Sequence, residues 1–247
     1  MGSRTESYLL DSNQAKNNLA PALRKTDSKP NAFSKFMENK ILEHDLNPKV
    51  YSANTIIQIV EDDINKINPC QIEYLEEWVD ECIEQSRLKP NGFKKFYETT
   101  ATSSSNAFIF SLNDFLRTRY NYAITDDSCN YGITITKERF EDYLNATILI
   151  FYMMQLHLGE IDLETYEKNV ESIKVEYKNT EAPLDFAQHE FGYFIKKMKG
   201  FQEDDSDSRL DSCPEDFQAS YWVFEMNKNL KEELINHKEN IVITHSY

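Results

Sequence analysis

The chain has 247 residues with 40% hydrophobic and 13% aromatic side chains, which excludes an intrinsically disordered protein and allows a sizeable core. Its 6 Gly and 7 Pro are too few for a protein built mainly from strands and turns, so an all-α fold is predicted. The formal net charge of −15 argues against direct binding to nucleic acid or to an anionic membrane, and favours a basic protein partner.

The N-terminal part of the chain contains a repeat. Residues 1–10 are predicted to be disordered, and residues 11–26 to form a weak helix. The octapeptides Lys-Pro-Asn-Ala-Phe-Ser-Lys-Phe at 29–36 and Lys-Pro-Asn-Gly-Phe-Lys-Lys-Phe at 89–96 then share six of eight residues at an offset of 60 positions. No solenoid is predicted, because the rest of the two 60-residue windows does not align.

Two interpretations of the repeat are open. In the structural one, Asn31 and Asn91 are helix N-caps, a short helix follows each, and the phenylalanines Phe33, Phe36, Phe93 and Phe96 enter the core. In the functional one, the repeat is a paired docking site for an anionic groove, formed by the phenylalanines and by Lys29, Lys35, Lys89, Lys94 and Lys95. The structural interpretation is favoured, because Phe at i and i+3 is ordinary core spacing.

A helix over 69–87 carries the first candidate site. Asn68 and Gln71, with Pro69 between them, have the capping-box pattern of a helix start. The acidic side chains that share one face of this helix are Glu73, Glu77, Asp80 and Glu84. Like charges at this spacing repel, so we expect either contact with a cationic partner or relief by lysines from a neighbouring helix.

Further helices are predicted for 106–120, 137–158, 163–177 and 183–199. The helix 137–158 is the most apolar of them, and Gly159 is its predicted C-cap. Ile133–Thr136 and Ile241–Thr244 alternate like short strands, which predicts a small two-stranded ribbon between them.

The C-terminal part contains the second candidate site. The acidic loop 202–211 contributes Asp204, Asp205 and Asp207 to partner binding, and it lacks the glycine that a calcium loop requires at its sixth position. The last helix is predicted to reach His237, with an interruption near Asn227.

Catalytic and metal-binding motifs are scarce. The four cysteines form no CxxC pair, no signal peptide opens the chain, and no apolar stretch is long enough to span a membrane, so a reducing, cytoplasmic location is predicted. Phosphate-binding glycine loops, a nucleophile elbow and helical two-histidine spacing are absent. The histidines considered for chemistry are His157 and His189, the latter near Asp185.

The prediction is therefore an irregular bundle of roughly nine helices. It forms a single domain over 11–247, in which 31–100 and 106–237 could be separate subassemblies. The predicted function is non-catalytic: binding of a basic protein partner that is regulated or neutralised, as by an inhibitor or immunity protein, with no metal or cofactor. Two alternatives stay open, a DNA mimic that inhibits a nucleic-acid-binding enzyme and a metal-dependent hydrolase with a helical active site. The oligomeric state is not predicted.

Overall fold

The structure, a computed structural model, describes residues 5–24, 32–84, 93–99, 102–120, 131–176, 187, 210–211, 213–239 and 241–246. Of the predicted features, the helix 183–199 apart from Ala187, the corner at 89–92 and most of the acidic loop lie outside these residues.

The helices of the described residues are α1 (Ser12–Gln14), α2 (Ala20–Arg24), α3 (Phe33–His44), α4 (Pro48–Tyr51), α5 (Ala53–Asp62), α6 (Pro69–Glu84), α7 (Thr102–Tyr120), α8 (Lys137–Leu158), α9 (Leu163–Glu176) and α10 (Glu215–Ile235). A π-helical segment, Ala15–Leu19, joins α1 to α2, and a 3₁₀ turn, Ile64–Lys66, follows α5. The strands are β1 (Thr5–Leu10), β2 (Phe93–Thr99), β3 (Tyr131–Thr136) and β4 (Ile241–Ser246).

The helical fold and the small ribbon are both confirmed. β3 pairs with β4 in antiparallel orientation, with Ile133 opposite Thr244 and Thr136 opposite Ile241. The ribbon is part of a four-stranded sheet with the order β2-β1-β4-β3. None of the helices in the described part of the chain combines the length and apolar character needed to cross a bilayer.

The prediction of a disordered segment over 1–10 is wrong for Thr5–Leu10. These residues form β1, which pairs with β4 from Thr5 opposite Ser246 to Leu10 opposite Ile241. All six are buried, including Glu6. The alternating pattern of a half-exposed strand is absent from Thr-Glu-Ser-Tyr-Leu-Leu, because a strand covered on both faces does not need it.

The two copies of the repeat adopt different structures. The first copy begins α3, whose N-cap is Ala32 without a side-chain hydrogen bond, rather than the predicted Asn31. Phe33 is buried in the core, and Phe36 packs against the core half-buried. The second copy was predicted to be a helix and instead forms β2, whose side chains Phe93 and Phe96 are not among those described.

The chain divides into two compact units. The first, the sheet unit, comprises Thr5–Glu98, Thr125–Lys137 and Lys238–Tyr247, and the second, the helical unit, comprises Met1–Arg4, Thr99–Ile124 and Glu138–His237. This division differs from the predicted subassemblies, because the sheet unit takes strands β3 and β4 from later parts of the chain.

In the sheet unit, α6 packs on strands β3 and β4. The predicted capping box begins this helix: the Asn68 amide donates to Gln71 Oε1 at 2.9 Å, and the Gln71 amide donates to Asn68 Oδ1 at 2.8 Å. The Trp78 ring, on the buried side of α6, meets the Phe33 ring edge-on at a centroid distance of 5.4 Å.

In the helical unit, α8 is buried along most of its length and ends at Leu158; the next residue, Gly159, has a φ of 75°, which favours glycine. α7 packs on α10. The predicted interruption of α10 near Asn227 is wrong: the helix continues through this residue, whose side-chain amide donates to Thr147 Oγ1 of α8 at 2.8 Å.

Candidate interaction surface

The acidic face of α6 has partners within its own unit. Glu77 is exposed, and its Oε1 lies 2.6 Å from the Nζ of Lys40, which α3 supplies. Glu73 is half-buried. The ion pair with Lys40 corresponds to the expected relief of charge by a lysine from a neighbouring helix.

A second carboxylate of α6, that of Glu76, also has a contact within its own unit. The Tyr8 hydroxyl of β1 lies within hydrogen-bond distance of both Glu76 and the buried Glu6. Burial raises the pKa of Tyr8, and hydrogen bonds to the two carboxylates raise it further. Strand β1, which was predicted to be disordered, therefore supplies a hydrogen-bond partner for one carboxylate of α6.

The other predicted partner-binding residues stay predictions. Asp80 and Glu84 belong to α6, but their side chains are not among those described. The loop residues Asp204, Asp205 and Asp207 lie outside the described residues.

A different surface stands out on α10. Four side chains spaced three, four and three residues apart are exposed along one side of this helix: Trp222, Glu225, Asn229 and Glu232. We call them the α10 face. Trp222 retains 48% of its accessible surface, whereas large hydrophobic side chains are usually buried.

Within the described residues, the lysines of α10 form no ion pair with the carboxylates of this face. The Nζ of Lys228 lies 5.3 Å from the ring centroid of Phe151 and 5.1 Å from that of Tyr152, both on α8. Lys231 is buried, with 8% exposure. In the sequence, Lys228 and Lys231 lie near Glu225 and Glu232, which suggests a surface on which positive and negative charges are balanced. In the structure, Lys228 contacts rings of α8 and Lys231 is buried, so the exposed side chains of this face include two glutamates and no lysine.

The carboxylates of the α10 face remain available. Neither Glu225 nor Glu232 makes an ion pair with any residue in the described part of the chain. An exposed indole one helical turn from a carboxylate can accept cationic side chains, by ion pairing with the carboxylate and by contact with the aromatic face. The sequence signal for this surface was a tryptophan among glutamates at helical spacing, but only the structure shows which side of α10 faces solvent.

The described residues show little that resembles a catalytic centre. They contain no group of three or more His, Cys, Asp or Glu side chains able to hold a metal. His157 is exposed, and Asp185 and His189 lie outside the described residues. Cys70 and Cys213 are buried, and burial raises the pKa of Cys213, which disfavours its reactive thiolate.

Comparisons with protein-family models, with curated proteins and with solved structures return no match.

Proposed function

We propose that this protein binds a basic protein partner through the α10 face. The observation that supports the proposal is the exposed Trp222 near Glu225 and Glu232, which make no ion pair within the described residues, on a helix whose Lys228 lies against rings of α8. A basic partner is favoured because the whole chain carries a formal charge of −15, and residues 201–247 hold four Lys/Arg against eleven Asp/Glu.

The two kinds of side chain on this face would have separate roles. Tryptophan is enriched among the residues that contribute most to protein–protein binding, because it removes a large rigid surface from water. Carboxylates at the edge of a contact mainly speed association with a positively charged partner. Trp222 would therefore hold the complex, while Glu225 and Glu232 would attract and orient the partner.

The biological role that fits this mode of binding is neutralisation or regulation. A non-catalytic protein that covers a basic surface prevents that surface from reaching its own anionic substrate. Inhibitors and immunity proteins act in this manner. This chain resembles them only in its acidic charge and its helical fold class.

The test begins with capture of the partner. The full chain, carrying a photo-crosslinking residue at Asn229, would be used as bait in extract of its native host, and the crosslinked protein would be purified. Affinity for the purified partner would then be measured against salt concentration. Trp222→Ala should weaken binding by about 2 kcal/mol, roughly thirtyfold. Glu225→Lys should slow association roughly tenfold at low salt.

Two matched controls lie on α9. Leu163→Ala removes another exposed apolar side chain, and Glu167→Lys reverses another exposed charge. Both should leave binding unchanged. The proposal fails if the Trp222 variant binds as wild type, or if affinity is independent of salt. Competition by duplex DNA for the same partner would support the DNA-mimic alternative.

A further inference from the structure

The helical unit contains a cavity of about 310 Å³ between three helices. α8 contributes Ile148 and Tyr152, α9 contributes Asn169, Ser172 and Ile173, and α10 contributes Lys228, Lys231, Glu232 and Ile235. These side chains recur at helical spacing on each helix, so one side of each helix lines the cavity. Its volume is at the lower end of the range for small-molecule sites.

Lys228 gives the cavity its chemical character. Lys228 is half-buried, and its ammonium group lies above the rings of Phe151 and Tyr152. No carboxylate in the described residues lies within ion-pairing distance of it, although Glu232 is four residues further along the same helix. A partly desolvated cation beside a cavity attracts an anion, because burial weakens its interaction with water.

The remaining lining separates into apolar and polar parts. Ile148 and Ile173 are buried and form an apolar wall, which Ile235 extends toward solvent. Asn169 and Ser172 lie one helical turn apart on α9 and supply hydrogen-bond donors. Burial raises the pKa of Tyr152, and the charge of Glu232 raises it further, so the phenol stays protonated and can also donate.

We propose that this cavity binds a small organic monocarboxylate that has an apolar body. The carboxylate would accept from the Lys228 ammonium and from the donors of α9, and the apolar body would cover the isoleucine wall. Glu232 at the rim disfavours ligands with several negative charges, because like charges repel across a partly desolvated site. This site shares Glu232 with the α10 face, but the partner contact is proposed to depend mainly on Trp222, which does not line the cavity.

The experiment uses the full chain and two probes, hexanoate and benzoate, in isothermal titration calorimetry. Each would be added up to about 10 mM, which saturates a site with a Kd near 1 mM. We expect saturable binding of at least one probe, and no binding of the neutral analogues hexan-1-ol and benzyl alcohol. Lys228→Met keeps an apolar stem against the two rings and should weaken carboxylate binding about tenfold or more, because the charge pair is lost.

Two further variants guard against misinterpretation. Ser172→Phe fills the cavity from an exposed position, so it should abolish binding without removing a charge. Lys168→Met removes an exposed lysine of α9 outside the cavity and should bind as wild type. The proposal is overturned if neither probe binds, if the alcohols bind as tightly, or if Lys228→Met or Ser172→Phe has no effect. Circular dichroism of each variant checks that it folds.

Discussion

The two acidic helices, α6 in the sheet unit and α10 in the helical unit, use their charges differently. On α6, Glu77 pairs with Lys40 and Glu76 lies against Tyr8, so other elements of the unit engage these carboxylates. On α10, Lys228 lies against rings of α8 and Lys231 is buried, and the exposed Glu225 and Glu232 make no ion pair within the described residues. The number of charges along a helix therefore does not reveal which of its carboxylates make contacts inside the protein. The neighbouring helices decide that.

The tryptophans give the sharpest contrast between the two helices, because the chain has only two. Trp78 of α6 is 5% exposed and packs on Phe33, whereas Trp222 of α10 is 48% exposed. Trp78→Ala should lower the free energy of unfolding by about 3–5 kcal/mol, because it leaves a large cavity. Trp222→Ala should change it by less than about 0.5 kcal/mol. Urea denaturation followed by circular dichroism measures both. Equal losses would show that Trp222 is a structural residue.

Two asparagines of α10 allow the buried and exposed sides of one helix to be compared. Asn227 is fully buried and donates to Thr147, while Asn229 is exposed on the α10 face. Asn227→Ala should cost about 1–3 kcal/mol of unfolding free energy, because it leaves Thr147 without its donor. Asn229→Ala should be neutral or slightly stabilising, since alanine favours helix. Urea denaturation of the two variants gives the difference. A larger loss at Asn229 would contradict the orientation assigned to α10.

The starts of the two helices also differ. α6 begins with the reciprocal Asn68–Gln71 hydrogen bonds, and Gln71 Nε2 also donates to the Val50 carbonyl at 2.8 Å. α10 begins after Pro214, which offers no side-chain hydrogen bond. Gln71→Ala should therefore lower stability by about 1–2 kcal/mol. As a control, Gln218→Ala, in the first turn of α10, should cost about 1 kcal/mol or less. Thermal denaturation that ranks the two variants in the opposite order would refute this account of the capping box.

The smallest effect concerns single carboxylates. Glu77→Gln removes the ion pair with Lys40, and because Glu77 is largely exposed, the expected loss of stability is only about 0.5 kcal/mol. Glu225→Gln removes no ion pair seen in the described residues, so it should not destabilise the protein. Added salt should shrink the first effect. Denaturation at low and high ionic strength checks this, and a loss at Glu225 as large as that at Glu77 would remove the contrast between the two helices.

The repeat shows how far local sequence can specify structure. Residues 33–36 and 93–96 match at three of four positions, yet the first segment begins α3 and the second begins β2. The following residues separate them. Phe33, Phe36 and Met37 are continued by Ile41 at helical spacing, whereas Phe96 and Tyr97 lead to Thr99 and Thr100, and β-branched residues favour strands. Six shared residues therefore do not determine a secondary structure when the flanking pattern and the available sheet edge differ.

Much of the fold was predictable wherever the signal was local and complete. A few neighbouring residues were enough to predict the capping box of α6 and the bounds of α8 with Gly159 after it. The alternation of residue types predicted the pairing of 133–136 with 241–244. β1 was missed because it is a fully buried strand with a polar sequence, and its partner β4 lies at the other end of the chain. Glu6 could not be predicted to be buried, because the hydrogen bond from Tyr8 exists only after the sheet has formed.

The sequence by itself determined the class of this protein: an acidic, helix-rich chain with a small ribbon and few breakers, since composition and periodicity are local properties. Only the tertiary structure decided which of the exposed carboxylates make ion pairs within the described residues. Lys40 reaches Glu77 from a helix that lies more than thirty positions away, and Lys228 lies over rings of α8 and makes no ion pair with its helical neighbour Glu232. Both contacts depend on which helices pack together. A long lysine side chain can contact either a neighbour on its own helix or a residue on another helix, and the second contact exists only after the helices have packed.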